Sequence, residues 1–459
     1  VTEPKSENAA SNQEPRPRIL VCTPDSLGAQ MAGPAIRALE IAKVLAQQNE
    51  VRLVSTQQAD LSHPDFEVAF ADDTSLRDHA EWSDAVVFQG HVMASHPWLA
   101  DEQYVLVADI YDPMHLEVLE QTRYLTDEDR QHVSQLTTEV LNAQIERADF
   151  LLCASEKQRD FWLGQMAALG RINPLSYDAD NTLRSLLAVA PFGIGDQTPV
   201  QRRHGIKGAV EGIAPTDKVV IWGGGIYNWF DPITLIRAVH QLSERHPDLR
   251  LFFLGVAHPN PNVPEMEMSV NARRVAVELD LLDRVVFFNE GWVPYDERAD
   301  YLLDADLGVS THFDHLETAF SFRTRILDYL WAGLPIVSTD HDTFATIVLS
   351  EQLGRVVPPE DVDALSTALE ECLYSEMETA RLRENVRRYA ERMRWSNVLQ
   401  PLVQFCSAPK PAADRGVRSV RAEQRNAMRI RIESLEQSTS WRITRPLRWV
   451  ARRRSRTGA

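Results

Sequence analysis

The strongest constraint on this chain is a repeated alternation. Short apolar runs, each stopped by polar residues or glycine, alternate with stretches whose apolar residues recur three and four apart. In the first half the runs are 18–23, 51–54, 85–88, 104–108 and 150–154, with 188–194 closing the set. The second half has 219–222, 249–254, 285–288, 307–310 and 334–338. Near-continuous apolar runs mark strands buried on both faces, and the helical stretches between them supply the crossovers of a parallel sheet. Helical spacing is plain at Ile36, Leu39, Ala42 and Leu45, and over 232–245, 270–279, 295–303, 361–374 and 380–392. The fold class predicted is α/β: two doubly wound, Rossmann-like domains, 18–195 and 196–394, facing each other across a cleft. Residues 195–215, with Gly, Pro and Gln, read as linker plus connecting helix, and 395–409 as a helix crossing back to the first domain. Residues 1–17, rich in Glu, Asn, Ser and Pro, have almost nothing to bury and are expected to be disordered.

In such sheets ligands bind beyond the carboxyl ends of the strands. Residues placed there are Gly28 and Gly33 after the first strand, His91 after the third, Asp112 after the fourth, and Gly224 and Gly225 after the first strand of the second domain. Glycine lets backbone approach a ligand closely, although 28–33 does not match the dinucleotide fingerprint. Taken singly, His91 and Asp112 read equally well as hydrogen-bonded loop residues; their shared position at strand ends makes them candidate catalytic groups. Asn228 is placed to hydrogen-bond a sugar, whereas Asp231-Pro232 reads better as a helix cap. Two carboxylate pairs, Asp178/Asp180 and Asp304/Asp306, have a spacing that suits a divalent ion beside a diphosphate. The second runs into an apolar strand and the first lies in a loop near helical Leu183 and Leu186, so both read as structural and no metal is predicted.

The most informative single stretch is 320–339. Ile326, Leu327, Leu330 and Trp331 bury one helical face, and Gly333 ends the helix before the next strand. Arg323 and Arg325 would then sit in the first turn, where the helix dipole and free N–H groups disfavour cations. An anion is expected to bind there. Ser321, Arg325 and Asp328 share a face, with Asp328 about 10 Å along the axis, a layout that fits diphosphate at the arginines and a ribose diol at the carboxylate. The competing reading is an Arg325/Asp328 surface pair worth a few tenths of a kcal/mol.

Composition narrows the partners. The net charge of -18 is uneven: 410–459 holds fourteen Lys/Arg against four Asp/Glu, so the tail carries +10 and the body -28. An acidic body argues against nucleic acid. Within the tail, 424–435 reads as an amphipathic helix, and 441–454 interleaves Trp441, Trp449 and aliphatics with arginines. That suits an anionic membrane surface, contacted through 424–456; a disordered basic tail or a partner-binding helix are the alternatives. Cys22, Cys153, Cys372 and Cys406 are far apart, which suits buried fillers in a reducing compartment. No run of eighteen apolar residues occurs and 1–18 is polar, so neither a spanning helix nor a signal peptide is expected.

Over 18–405 the chain resembles the GT-B glycosyltransferases of the retaining family 4 type (glycosyl transferases group 1). The resemblance rests on Gly28 to Gly33 with its following helix, Ala190-Pro191-Phe192-Gly193-Ile194, Gly291-Trp292-Val293, Asp306-Leu307-Gly308-Val309-Ser310, and above all the motif from Ile326 to Thr339. It implies a nucleotide sugar held by the C-terminal domain, an acceptor on the N-terminal one, and neither metal nor cofactor. The family's usual pair of glutamates would fall on Phe320 and Asp328, so Asp328 takes the ribose and Glu317 stands in for the missing acid. The family's Arg and Lys after the first C-domain strand would fall near Gly224 and Trp229/Phe230. Arg323 and Arg325 are the replacements, as the dipole argument indicates, with Ser321 and Phe322 beside them at the donor. Trp292, Val293 and Pro294 would line the base pocket, and the N-domain's usual His would fall near Asp109 to Asp112. The implied reaction is front-face transfer with retention, of a hexosyl or deoxyhexosyl group, to a lipid-linked or cell-surface polysaccharide acceptor. Together with the basic tail this predicts a cytoplasmic enzyme docked on the inner membrane face. The alternatives are a GT-B sugar-nucleotide epimerase or hydrolase, and a degenerate GT-B scaffold in a polysaccharide-assembly complex.

Overall fold

The computed structural model describes residues 15–29, 31–255, 266–291, 293–294, 297–417 and 431. The expected disorder of 1–14, the proposed base-pocket residue Trp292 and almost all of the basic tail lie outside the described residues. Seven parallel strands form the first sheet: β1 (Arg18–Thr23), β2 (Glu50–Ser55), β3 (Glu67–Phe70), β4 (Ala85–Gln89), β5 (Leu106–Asp109), β6 (Phe150–Cys153) and β7 (Leu187–Val189), in the order β3-β2-β1-β4-β5-β6-β7. Six more form the second: β8 (Lys218–Trp222), β9 (Leu249–Phe253), β10 (Val286–Phe288), β11 (Leu307–Ser310), β12 (Ile336–Thr339) and β13 (Gly354–Val357), in the order β10-β9-β8-β11-β12-β13, again all parallel. The predicted α/β architecture is therefore present. In each sheet the order reverses beside the first strand, at β1/β4 and at β8/β11, which is where an open α/β sheet opens a crevice.

β3 and β13 are edge strands that escaped the sequence reading because, unlike the edge strands β7 and β10, they are only partly buried. Their burial is partial, so Glu67 and Arg355 interrupt the apolar run that a central strand requires. The helix expected within 195–215 is absent. That segment is irregular and is held by carboxylates of the second domain. Asp304 accepts from Gln201 Nε2 (2.6 Å) and the Ile206 amide (2.8 Å), and Asp306 accepts from Lys207 Nζ (2.8 Å) and the Val219 amide (2.8 Å). At the other pair, Asp178 belongs to the helix Pro174–Ala179 rather than a loop, and Asp180 accepts from the Thr182 and Ser185 amides. Leu183 and Leu186 are not helical, since the chain turns there on Leu183 at φ 56°.

The chain crosses between the sheets twice, side by side. The Ile194 amide donates to Met393 O (2.7 Å), and the Trp395 amide to Ile194 O (3.0 Å). A Cβ on Gly193 would meet the Trp395 ring at 2.8 Å, so this crossing needs glycine. Two short helices, Trp395–Val398 and Gln400–Ser407, replace the single expected one and pack on the helix Gly33–Leu45, with Phe405 stacked on Phe150 at 4.6 Å. Residues 411–417 then clasp the first domain near the amino ends of β5 and β6. Asp414, fully buried, receives Arg171 Nε (2.9 Å) and Asn173 Nδ2 (3.1 Å), and Arg415 pairs with Asp149, which also holds the Leu106 amide. All four cysteines are buried and unpaired. Among the described residues no helix is long and apolar enough to cross a membrane.

Candidate functional site

A cleft of about 680 Å³ lies between the carboxyl ends of the two sheets. The first domain lines it with the segment around Met31–Pro34, with Asp112 and with Glu117; the second with Gly223, Gly224 and Gly225, Arg298 and the stretch 321–328.

The helix of the long motif begins later than its sequence suggests. It spans Arg325–Ala332, capped at its end by Gly333 at φ 70°, and is preceded by the short helix Leu316–Phe320. Ser321 and Arg323 therefore lie in the turn between two helices, and Glu317 lies in a helix rather than a loop. Only Arg325 occupies the first helical turn. Its backbone helix offers no side-chain cap, since Thr324 makes none. The guanidinium sits 4.1 Å from the Trp222 ring and 4.0 Å from the Phe230 ring, and Nη2 donates to Gly225 O (3.0 Å). Aromatic faces thus stand where the family's cations are missing and hold an arginine brought from another element. Only 8 % of Arg325 is exposed, and its Nη1 is buried with no protein partner. Loss of hydration lowers its pKa from 12.5 to about 10, with Arg323 adding repulsion, so it remains a cation at neutral pH. A buried cation with an open donor is an unfilled place for an anion.

Arg323 is committed differently. Nη1 and Nη2 grip the two oxygens of Glu317 at 3.0 and 2.8 Å, Nη2 also reaches Thr318 Oγ1 (3.1 Å), and Nε is left without a partner. Asp328 reaches the cleft from the same face as Arg325. Its Oδ1 lies 3.1 Å from Arg298 Nε, and Arg298 stacks over Trp331 at 4.3 Å. Burial raises the Asp328 pKa and Arg298 opposes the rise.

One tyrosine that sequence reasoning missed ties the glycine loop to this helix. The Tyr329 phenol oxygen accepts from the Gly223 amide (2.8 Å) and donates to Val309 O (2.7 Å), and its ring fills the space over Gly308, where a Cβ would approach it to 2.3 Å. Tyr329→Phe leaves the buried Gly223 N–H unsatisfied, so a loss of about 1–3 kcal/mol is expected in chemical denaturation. A loss below a few tenths would show that the loop holds itself.

Across the cleft, Asp112 and Glu117 are hydrogen-bonded to each other, Asp112 just beyond β5 and Glu117 one turn into the helix Met114–Gln121. Lost hydration is the main cause that raises both, followed by their mutual repulsion at Asp112; Arg323 opposes it. The folded state therefore binds more protons than the unfolded one above the ordinary carboxyl values of 3.8 and 4.5, and stability falls as pH rises through that window. Asp112→Asn should flatten the fall, as followed by melting temperature against pH. A slope equal to that of the parent protein would contradict the pairing.

Three predicted residues are not brought to the cleft. His91 is exposed at the start of the helix Val92–Ser95. Gly28 lies against Asp60, and Asn228 Oδ1 accepts from the Met268 amide (3.1 Å) at the start of the helix Glu267–Glu278. Asn228 is thus taken by a helix start, while Gly28 and His91 sit in loops away from the cleft lining. Gly33, Gly224, Gly225, Asp112, Val293, Glu317, Ser321, Phe322, Arg323, Arg325 and Asp328 do line it. Asp231 is the predicted cap, accepting from the Thr234 amide at 3.0 Å. Arg298, Glu117, Tyr227 and Tyr329 are additional. Only Tyr329, within the long motif and on its apolar face, carried a sequence signal.

Residues 207–393 match the family Glycosyl transferases group 1. No curated protein matches the chain. Among solved structures, sucrose-phosphate synthase from Thermosynechococcus elongatus is similar at 16% identity and TM-score 0.60, over 85% of this chain and 98% of that one. WaaG, a glycosyltransferase involved in lipopolysaccharide biosynthesis, is similar at 16% identity and TM-score 0.58, over 85% of this chain and 100% of its own. HepE of Anabaena, solved in complex with UDP-glucose, is similar at 14% identity and TM-score 0.59, over 85% and 100%. The chain thus has the GT-B fold, and within it residues 207–393 are similar to the glycosyl transferases group 1 family.

Proposed function

We propose that this protein is a retaining, metal-independent glycosyltransferase that moves a sugar from a nucleoside diphosphate to a hydroxyl of a lipid-linked or polysaccharide acceptor. The observation that carries the reading is Arg325: a buried cation at a helix start, on a residue that lines the cleft, with one guanidinium nitrogen that has no protein partner. A diphosphate supplies the missing acceptor, and the first amides of the helix add to the same attraction. Asp328, paired with Arg298, lies one turn further along the helix and is the group assigned to the ribose. That HepE was solved with UDP-glucose supports this donor class.

In this reading the C1–O bond to the diphosphate breaks with its electron pair, and charge grows on the leaving oxygens beside Arg325. The acceptor oxygen bonds to C1 on the same face, and its proton passes to a phosphate oxygen, so no separate base is required. The protein's contribution is a preorganised positive site out of water. The acceptor is placed on a lipid carrier at the cytoplasmic membrane face, with the basic segment 424–456 as the surface anchor.

The test is a melting-temperature screen against UDP-, GDP- and dTDP-sugars. Ligand at 100 times its dissociation constant stabilises by about 2.7 kcal/mol, a shift of several degrees for one of the three. The Glu317–Arg323 clamp favours a second reading, a degenerate scaffold, because it ties up a cation that the diphosphate would use. No shift with any nucleotide would support that reading over the first.

A further inference from the structure

The charges lining the cleft are sorted by domain. Its described arginines, Arg298, Arg323 and Arg325, all come from the second domain. The described first-domain lining holds the carboxyls Asp25, Asp112 and Glu117, and no Lys, Arg or His. Glu317 faces this wall from the second domain and adds to its charge, and Arg323, which grips both Glu317 oxygens, offsets that charge only in part. Gln121 hydrogen-bonds Glu117, and Tyr227 stands between Glu117 and Arg325, feeling both charges. The remaining neighbour is Tyr111, which feels Asp112, Asp109, Arg37 and Asp25.

A hydrogen bond between two carboxyls requires one proton and leaves one negative charge. The shared proton ties Asp112 to Glu117, and their outer oxygens remain as acceptors for a sugar O–H. Independent signs of a ligand come from the opposite wall: Arg325 Nη1 and Arg323 Nε, on side chains more than nine-tenths buried, have no protein partner. The donor's phosphates would satisfy that wall, which leaves the acidic one for the acceptor.

We propose that the Asp112–Glu117 pair is the acceptor-hydroxyl site, with Glu117 as a positioning residue, and that this wall selects a neutral or amine-bearing sugar and excludes one carrying a carboxylate or phosphate. The inference rests on the glycosyltransferase reading. Like charges placed together at a partly desolvated contact oppose binding, so discrimination against an acidic sugar should be about tenfold or more.

The probes are methyl glucoside, methyl glucosaminide and methyl glucuronide, which differ mainly in charge. Each is titrated against the full chain near neutral pH, with and without UDP or GDP, and followed by saturation-transfer NMR. The expected result is binding of the first two and at least about tenfold weaker binding of the glucuronide. The double variant Asp112→Asn/Glu117→Gln keeps the side-chain shapes and removes the charge, and should bring the glucuronide to within a small factor of the glucoside. A merely structural role for the pair would change all three affinities together and leave their ratio alone. Equal binding of glucuronide and glucoside by the parent protein, a ratio unmoved by the double variant, or no glycoside binding at all would overturn the inference. Failure of every nucleotide to bind overturns the parent reading instead, and the glycoside ratios, read without nucleotide, still report on the wall.

Discussion

Arg325→Ala is expected to lower turnover by about 10² or more, the scale of removing one preorganised group from a developing negative charge. Several features place the effect in the chemistry rather than in the fold. Arg325 makes one hydrogen bond to protein, to Gly225 O, and its remaining contacts are with the Trp222 and Phe230 rings. Those rings are held in the second-domain core independently of it, with Phe253 and Phe230 packed on Trp222. Arg325→Lys keeps the charge but loses the planar fork whose two end nitrogens serve Gly225 O and a ligand separately, so it should recover only part of the rate. Steady-state kinetics with the donor found in the nucleotide screen is the measurement. A rate within a factor of two of the parent protein would remove the arginine from the mechanism.

Asp414→Ala is expected to destabilise the protein by about 3–5 kcal/mol, the cost of stranding one member of a buried ion pair. The stranded partner is Arg171, which is 1% exposed and donates to the backbone carbonyls of Ala148 and Ile145 as well as to Asp414. The contact is between residues 243 positions apart, so its loss weakens the attachment of the end of the described chain, which Arg415 and Asp149 still hold, as well as stranding the charge. Replacing both residues, Arg171→Met with Asp414→Leu, should cost much less than the single change, because no unpaired charge is left. Urea denaturation of the three proteins distinguishes these outcomes. A single-variant loss under about 1 kcal/mol would mean that water reaches the arginine.

Most of the architecture could be read from the residues because parallel strands buried on both faces leave a nearly continuous apolar signature. β1, β8 and β11 fall within a residue of their expected limits for that reason. The partly buried edge strands β3 and β13 carry no such signature and were missed. The motif around Asp328 pointed to the cleft, yet its helix starts at Arg325 rather than at Ser321, because Glu317 draws Arg323 back into the preceding turn. Long-range partners of this kind leave no periodicity. Nor does spacing reveal that Trp222 and Phe230 form a cradle for an arginine some hundred residues away, or that Glu117 meets Asp112. Asn228 shows the converse: a polar residue just after a strand is as readily taken by a neighbouring helix start.

The paired crossings at Ile194 and Trp395 limit how the molecule can move. The two are bonded to each other, so they act as a single pivot line, with Gly193 and Trp395 in van der Waals contact along it. Opening of the cleft is then expected to turn about this crossing, and a bond that bridges the two walls away from it resists the motion with the longer lever arm. The Gln158 amide, which spans from the first domain to Phe320 O at 2.8 Å, is one such bridge, sitting just before the residues that face the cleft.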